Sequence, residues 1–398
     1  KGAASLAENV QAVALIPGTG EYALATRQVS IDLGLGETRI LNRNTPMGGT
    51  DFQVSLATLG RELPKVESVS VVVSWFGDDL RAGNCTVRPK VEDKSRDGQG
   101  MAWRAGGIGR DAAVEVARVG GRPIYGGTPA DGSVIEALRA LAASGRKAVF
   151  YPFILMEQMA GNGRADPWTG AADQPVMPWR GRITTSIAAD RAGSPAGTAA
   201  AEDEVAAFFG TARASDFSRE GDEIRYSGPD EWSYRRFILH YAHLCAAAGG
   251  IDAFLIGSEM VGLTQIQGAD HRFPAVEQLI RLAADVRAIL GDAVKIGYAS
   301  DWSEYFGYHP GNGDVFFHLD PLWGDDNIDF VGIDNYMPLS DWREGENHLD
   351  AAWGRIDNPA YLRANVAGGE GFDWYYASDA DRDAQVRTPI TDGTYDEA

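Results

Sequence analysis

Glu259 ends the apolar run Phe254-Leu255-Ile256-Gly257-Ser258. An apolar strand that delivers a carboxyl at its tip holds that acid in a poorly hydrated setting, which raises its pKa and favours proton donation. Gly257 and Ser258 are small enough to let a substrate approach. Cleavage of a glycosidic bond commonly uses two carboxyls, one protonating the leaving oxygen and the other attacking the anomeric carbon or activating water. Glu259 is the candidate acid, although a Glu at a strand end also serves as a cap or as the partner of an Arg. A second apolar run, Ile328 to Ile333, ends in Asp334-Asn335-Tyr336, whose side chains suit sugar hydroxyls. Asp301 and Trp302 follow Lys295-Ile296-Gly297-Tyr298 in the same manner. An indole stacks on the apolar face of a pyranose, and Trp75, Trp302, Trp342 and Trp374 all fall near strand ends or in loops. Glu370, beside Phe372 and Trp374, is the candidate second carboxyl. A separation of about 5–5.5 Å from Glu259 would mark a retaining pair.

The elements that must position these residues alternate between strand and helix. Helical spacing of Phe52, Leu56, Leu59 and Leu63 predicts a helix over 51–63. Ser68 to Trp75 is a β-branched strand. Residues 90–112 are Gly-rich and charged, an exposed excursion. Val114 to Val119 is a weaker second strand, and Ser133 caps a helix over 134–143. Ala148 to Leu155 is the third strand, with Pro152 expected at its end. Residues 157–199 form a long insertion holding Trp168 and Trp179, of the length that is usually functional. Helices follow at 200–209, 231–248 and 274–290, with strands at 252–257, 295–298 and 328–333 and a helical stretch near 359–367. This order is that of a parallel α/β fold. The fold class is therefore a TIM (β/α)8-like barrel over 67–398, after an N-terminal lead-in segment of residues 1–66. Only six strands are counted where closure needs eight. Either two went unrecognised or the chain stops before the barrel closes. The first residues lack an initiator Met, as in a segment cut from a longer polypeptide.

Composition narrows the function. The formal net charge of −20 argues against a nucleic-acid groove. No apolar run is long enough to span a membrane. Cys85 and Cys245 stand far apart, and two buried thiols are expected rather than a disulfide. His240 and His243 share a helix at i, i+3 with no acidic ligand at a suitable spacing, so core packing is expected and no metal. No phosphate-binding or nucleophile-elbow motif occurs, and the sugar chemistry needs no cofactor.

The runs Tyr151 to Met156, Phe254 to Met260, Gly297 to Tyr305 and Asp329 to Leu339 resemble the TIM-barrel-like domain of gene transfer agent tail proteins, the "host specificity" baseplate proteins of phage-like particles. The strand tips are also similar to those of retaining glycoside hydrolases of the large TIM-barrel clan. Glu259 matches that clan's acid/base position, and Gly332 to Leu339 is similar to the sixth strand of some β-mannanases. The resemblance implies a barrel in the tail of a virion-like particle, in contact with cell-surface or cell-wall glycan and with other tail or baseplate proteins. The clan's nucleophile, a Glu in a Thr-Glu-Leu-Gly-like run, has no match here. Hydrolysis and a non-catalytic structural or carbohydrate-binding role both stay open.

Overall fold

The computed structural model describes residues 6–336, 339–366 and 373–391. By its internal contacts the chain divides into two units, Lys1–Asp334 and Asn335–Ala398.

The first unit is built on six parallel strands: β1 (Ala12–Ala14), β2 (Ser68–Gly77), β3 (Lys147–Met156), β4 (Ala253–Ser258), β5 (Lys295–Asp301) and β6 (Phe330–Asp334). Each pairs with the next in sequence, and among the described residues β6 does not return to β1. The sheet is a curled, open half of a TIM-type barrel. β1 was not expected. Its three residues carry little strand signal, and only their pairing with Ser68–Ser70 makes them a strand. The second strand expected at 114–119 is absent from this sheet, because those residues form only two-residue exposed pairings. Pro152 lies inside β3, opposite Val73, rather than at its end. The β3–β4 ladder is confined to Val149 and Phe150, so a missing donor at 152 falls beyond it.

Helices α1 (Asp51–Glu62), α2 (Asp131–Ala143), α3 (Ala199–Phe209), α4 (Tyr234–Ala248) and α5 (Pro274–Leu290) form where the apolar spacing placed them. α1 starts with a Thr50–Gln53 capping box, and α5 has Pro274 in its first turn. The helix-facing positions of β2 (Val69, Val71, Val73 and Trp75) are fully buried. Alternation sends Ser70, Val72 and Ser74 to the concave face. In a closed barrel that face is filled by layers of side chains. Here Val72, Tyr151, Phe153 and Leu155 line an open concavity of about 340 Å³ with the segment from Leu15 to Gly20.

The excursion at 90–112 is not a free loop. It closes a small second core with the N-terminal segment through Tyr22, Val29, Val91 and Trp103. Buried Arg110 ties it to Glu21 and Asp97. Cys85 and Cys245 are buried and unbonded to each other.

The second unit holds a helix, Pro359–Val366, and a short antiparallel pair, Trp374–Tyr375 with Thr388–Pro389. Arg387 anchors it by bonding Asp341 and Asp350 beneath the ring of Trp374.

Candidate functional site

Glu259, Asp301 and Asp334 stand at the C-terminal tips of the adjacent strands β4, β5 and β6. Asp301 pairs in register with Asp334, and the Glu259 N–H donates to the Ala299 carbonyl at 2.8 Å. The β4–β5 register slips between Leu255 and Ser258. Such a bulge re-aims the side chains that follow it. Gly257 is required there, since a Cβ would lie 2.5 Å from the Tyr234 hydroxyl. That hydroxyl donates to the Ile256 carbonyl at 2.7 Å. Glu259 itself has φ +50°, a left-handed conformation that costs a non-glycine residue about 1–2 kcal/mol. The next N–H, of Met260, donates to the Tyr298 hydroxyl at 2.9 Å and helps hold this turn.

Glu259 is buried at 5% exposure. Its Oε2 accepts from Trp179 Nε1 at 2.9 Å and lies 3.0 Å from Arg180 Nη2. Arg180 is equally buried. Its Nε donates to the Ser258 carbonyl (2.9 Å) and its Nη2 to Ser258 Oγ (2.6 Å), while its plane covers Phe153 at 3.7 Å. Both Trp179 and Arg180 come from the insertion at 157–199, which thus reaches back over the strand tips.

Asp334 is bound by neutral donors. Tyr151 Oη donates to its Oδ2 at 2.6 Å, and Ser258 Oγ donates at 3.1 Å. Burial pushes the Asp334 carboxyl above its usual range. The two hydroxyls oppose that rise, while the charge of neighbouring Glu259 adds to it. Asp334 is therefore a carboxyl that favours holding a proton. Burial also raises the Tyr151 phenol, which keeps it a donor. Tyr151→Phe is expected to lower stability by about 1–3 kcal/mol, the cost of leaving buried polar partners unsatisfied. A urea titration that moves by less than half of the lower figure would show the hydroxyl to be idle.

Other expected site residues fall elsewhere. Asp301 shares the rim, but it caps its own short helix, α6 (Trp302–Tyr305). Its Oδ1 accepts from the Ser303 N–H at 2.9 Å, in a capping box with Glu304. Trp302 is half-buried and meets Phe306 edge-on. Trp75 cannot stack on a ligand. The strand runs on to Gly77, so Trp75 lies within it on the helix side, fully buried against Phe237, His240 and Tyr241. Asn335 and Tyr336 begin the second unit, with Tyr336 exposed. Glu370 lies outside the described residues. His240 is a core residue on Asp131 (2.9 Å).

Reading the sequence alone missed four participants: Tyr151, Ser258, Trp179 and Arg180. The length of the insertion was the one signal pointing to the last two. The tips of β2 and β3 also carry an acid beside a base. Asp79 pairs with Arg81 at 2.7 Å, and Glu157 with Lys90.

Residues 232–398 match the family described as the GTA TIM-barrel-like domain. That stretch contains β4 to β6 with both Glu259 and Asp334. Among solved structures, a GH113 beta-1,4-mannanase aligns at 17% identity and TM-score 0.37, over 77% of this chain and 62% of that one. The GH113 beta-mannanase AaManA from Alicyclobacillus acidocaldarius, in complex with ManMIm, aligns at 15% identity and TM-score 0.35, over 80% and 62%. The chain thus spans less than two thirds of each mannanase, and no residue role follows from either overlap. No curated protein matches.

Proposed function

We propose that this barrel is a glycan-contacting module of a phage-like tail of the gene transfer agent kind. In that role it meets the cell envelope at its strand-tip rim and other tail or baseplate proteins elsewhere. One observation carries the reading: the Glu259–Asp334 carboxyl pair at the rim lies beneath the part-exposed indole of Trp179. TIM-type barrels keep their ligand chemistry at that face, and an indole beside hydrogen-bonding acids suits a pyranose. The match of residues 232–398 to the GTA domain supports the tail setting.

Binding is the first reading because both carboxyls are already engaged by protein groups, Glu259 by Trp179 and Arg180 and Asp334 by Tyr151 and Ser258. Hydrolysis is the second reading, favoured by the raised affinity of Asp334 for a proton. An array of bacterial envelope polysaccharides separates the two. Glycan binding is expected, weakened about tenfold or more by Trp179→Ala, the loss of roughly 1.4 kcal/mol. A blank array for the wild type would end the reading. If new reducing ends also appear and Glu259→Gln stops them, the pair is catalytic. If Glu259→Gln leaves turnover of every cleaved glycan unchanged, it is not.

A further inference from the structure

A second cavity, of about 190 Å³, opens between the insertion, the turn that follows Glu259 and the loop beyond β5. Trp168 and Tyr308 are its aromatic walls. Trp168 is fixed by its Nε1–H, which donates to the Arg182 carbonyl at 2.7 Å, and by close packing on Gly262. Tyr308 is held by a reciprocal backbone pair with Phe316, at 2.8 and 3.0 Å, and by ring contacts with Phe273 and Phe316. These rings hold their positions without a ligand. The polar groups on the lining are of another kind. The Gln265 amide, the Tyr308 hydroxyl and the exposed Asp190 carboxylate have no hydrogen-bond partner among the described residues. The lining contains no Lys or Arg.

We propose that this cavity takes a single neutral pyranose residue. Resting on the glycan-contacting reading above, this makes it the specificity pocket beside the rim. Fixed rings receive the C–H faces of the sugar. An amide, a phenol and a carboxylate, all unspent, match a ring of hydroxyls that both donate and accept. With no Lys or Arg on its lining, and with the exposed Asp190 carboxylate there, the pocket disfavours uronates and phosphates. A peptide side chain would not call for so many free polar groups around two rings. The same insertion supplies Trp168 here and Arg180 to Glu259, so a glycan crossing the rim passes both.

The test uses the full chain, the Trp168 indole N–H resonance and four probes: methyl β-D-glucopyranoside, methyl β-D-mannopyranoside, glucuronic acid and adenosine. At least one neutral glycoside is expected to shift that resonance saturably. Gln265→Ala and Tyr308→Ala should each weaken the effect about tenfold, the size of one lost hydrogen bond of roughly 1.4 kcal/mol. Glucuronic acid should leave it in place. Tyr308→Phe keeps the ring and serves where Tyr308→Ala does not fold. Preference for adenosine or glucuronic acid, or no shift with either neutral glycoside, would overturn the proposal. Array binding that persists unchanged in the Gln265 and Tyr308 variants would overturn it too, while leaving the glycan-contacting reading intact. An empty array for the wild type fails both.

Discussion

Replacing Arg180 by methionine is expected to lower stability by about 3–5 kcal/mol, the usual cost of removing one partner from a buried ion pair. The size follows from what remains behind. Arg180 and Glu259 are each 5% exposed, so neither has water as a substitute partner. Arg180 also fills two acceptors of Ser258 and covers Phe153. Without it, two neighbouring carboxyls face each other with only Trp179, Tyr151 and Ser258 as donors. The loss comes from an uncompensated charge rather than from the net worth of the pair, so a second change should restore most of it. Arg180→Met with Glu259→Gln is expected to be clearly more stable than Arg180→Met alone. Urea denaturation of the two single variants and the double variant measures this coupling. Simple additivity of the two changes would show that the guanidinium does not neutralise Glu259.

The strand tips were legible because an apolar run followed by a polar one says where a buried strand meets solvent. That pattern located β3 to β6 and, with them, Glu259 and Asp334. The role of each tip was less legible, because it depends on partners remote in sequence. Arg180 lies 78 positions from Ser258, and Lys90 lies 67 from Glu157. Nothing local at Glu259 announces a guanidinium from the insertion. Trp75 was misplaced because the strand was ended two residues early, and in a strand one residue decides between core and groove. β1 failed for the opposite reason: Ala12-Val13-Ala14 has almost no propensity of its own, and tertiary pairing decides it. The Asp301–Glu304 spacing did carry a signal, since an acid followed three residues later by Glu is a helix-start signature. It favours the capping role that Asp301 has over the sugar-binding one expected for it.

That same Glu304 gives the second large effect. It is fully buried, accepts from Thr264 Oγ1 (2.5 Å) and Tyr298 Oη (2.9 Å), and burial pushes its carboxyl up to about 7. On the far side of Thr264, 3.3 Å from the same hydroxyl, lies His318 Nε2, where burial lowers the imidazole to about 4. An acid and a base that share a hydroxyl are thus both held neutral, because burying either charge costs more than their mutual attraction returns. The pH signs oppose. Glu304 contributes stability that is present below its unfolded value of 4.5 and is lost as pH rises toward 7. His318 contributes stability that is present above its unfolded value of 6.5 and is lost as pH falls toward 4. Between roughly pH 4.5 and 6.5 each changes stability by about 1.4 kcal/mol per pH unit, in opposite directions, so in the wild type they nearly cancel. Single substitutions unmask them. Relative to wild type, Glu304→Gln should gain stability with rising pH across that window, by roughly 3 kcal/mol in all, and His318→Asn should lose a similar amount. Urea midpoints at three pH values inside the window suffice. If the two variants drift the same way, the neutral pair does not exist, and the support that Tyr298 receives from Glu304 beneath the Glu259 turn must have another source.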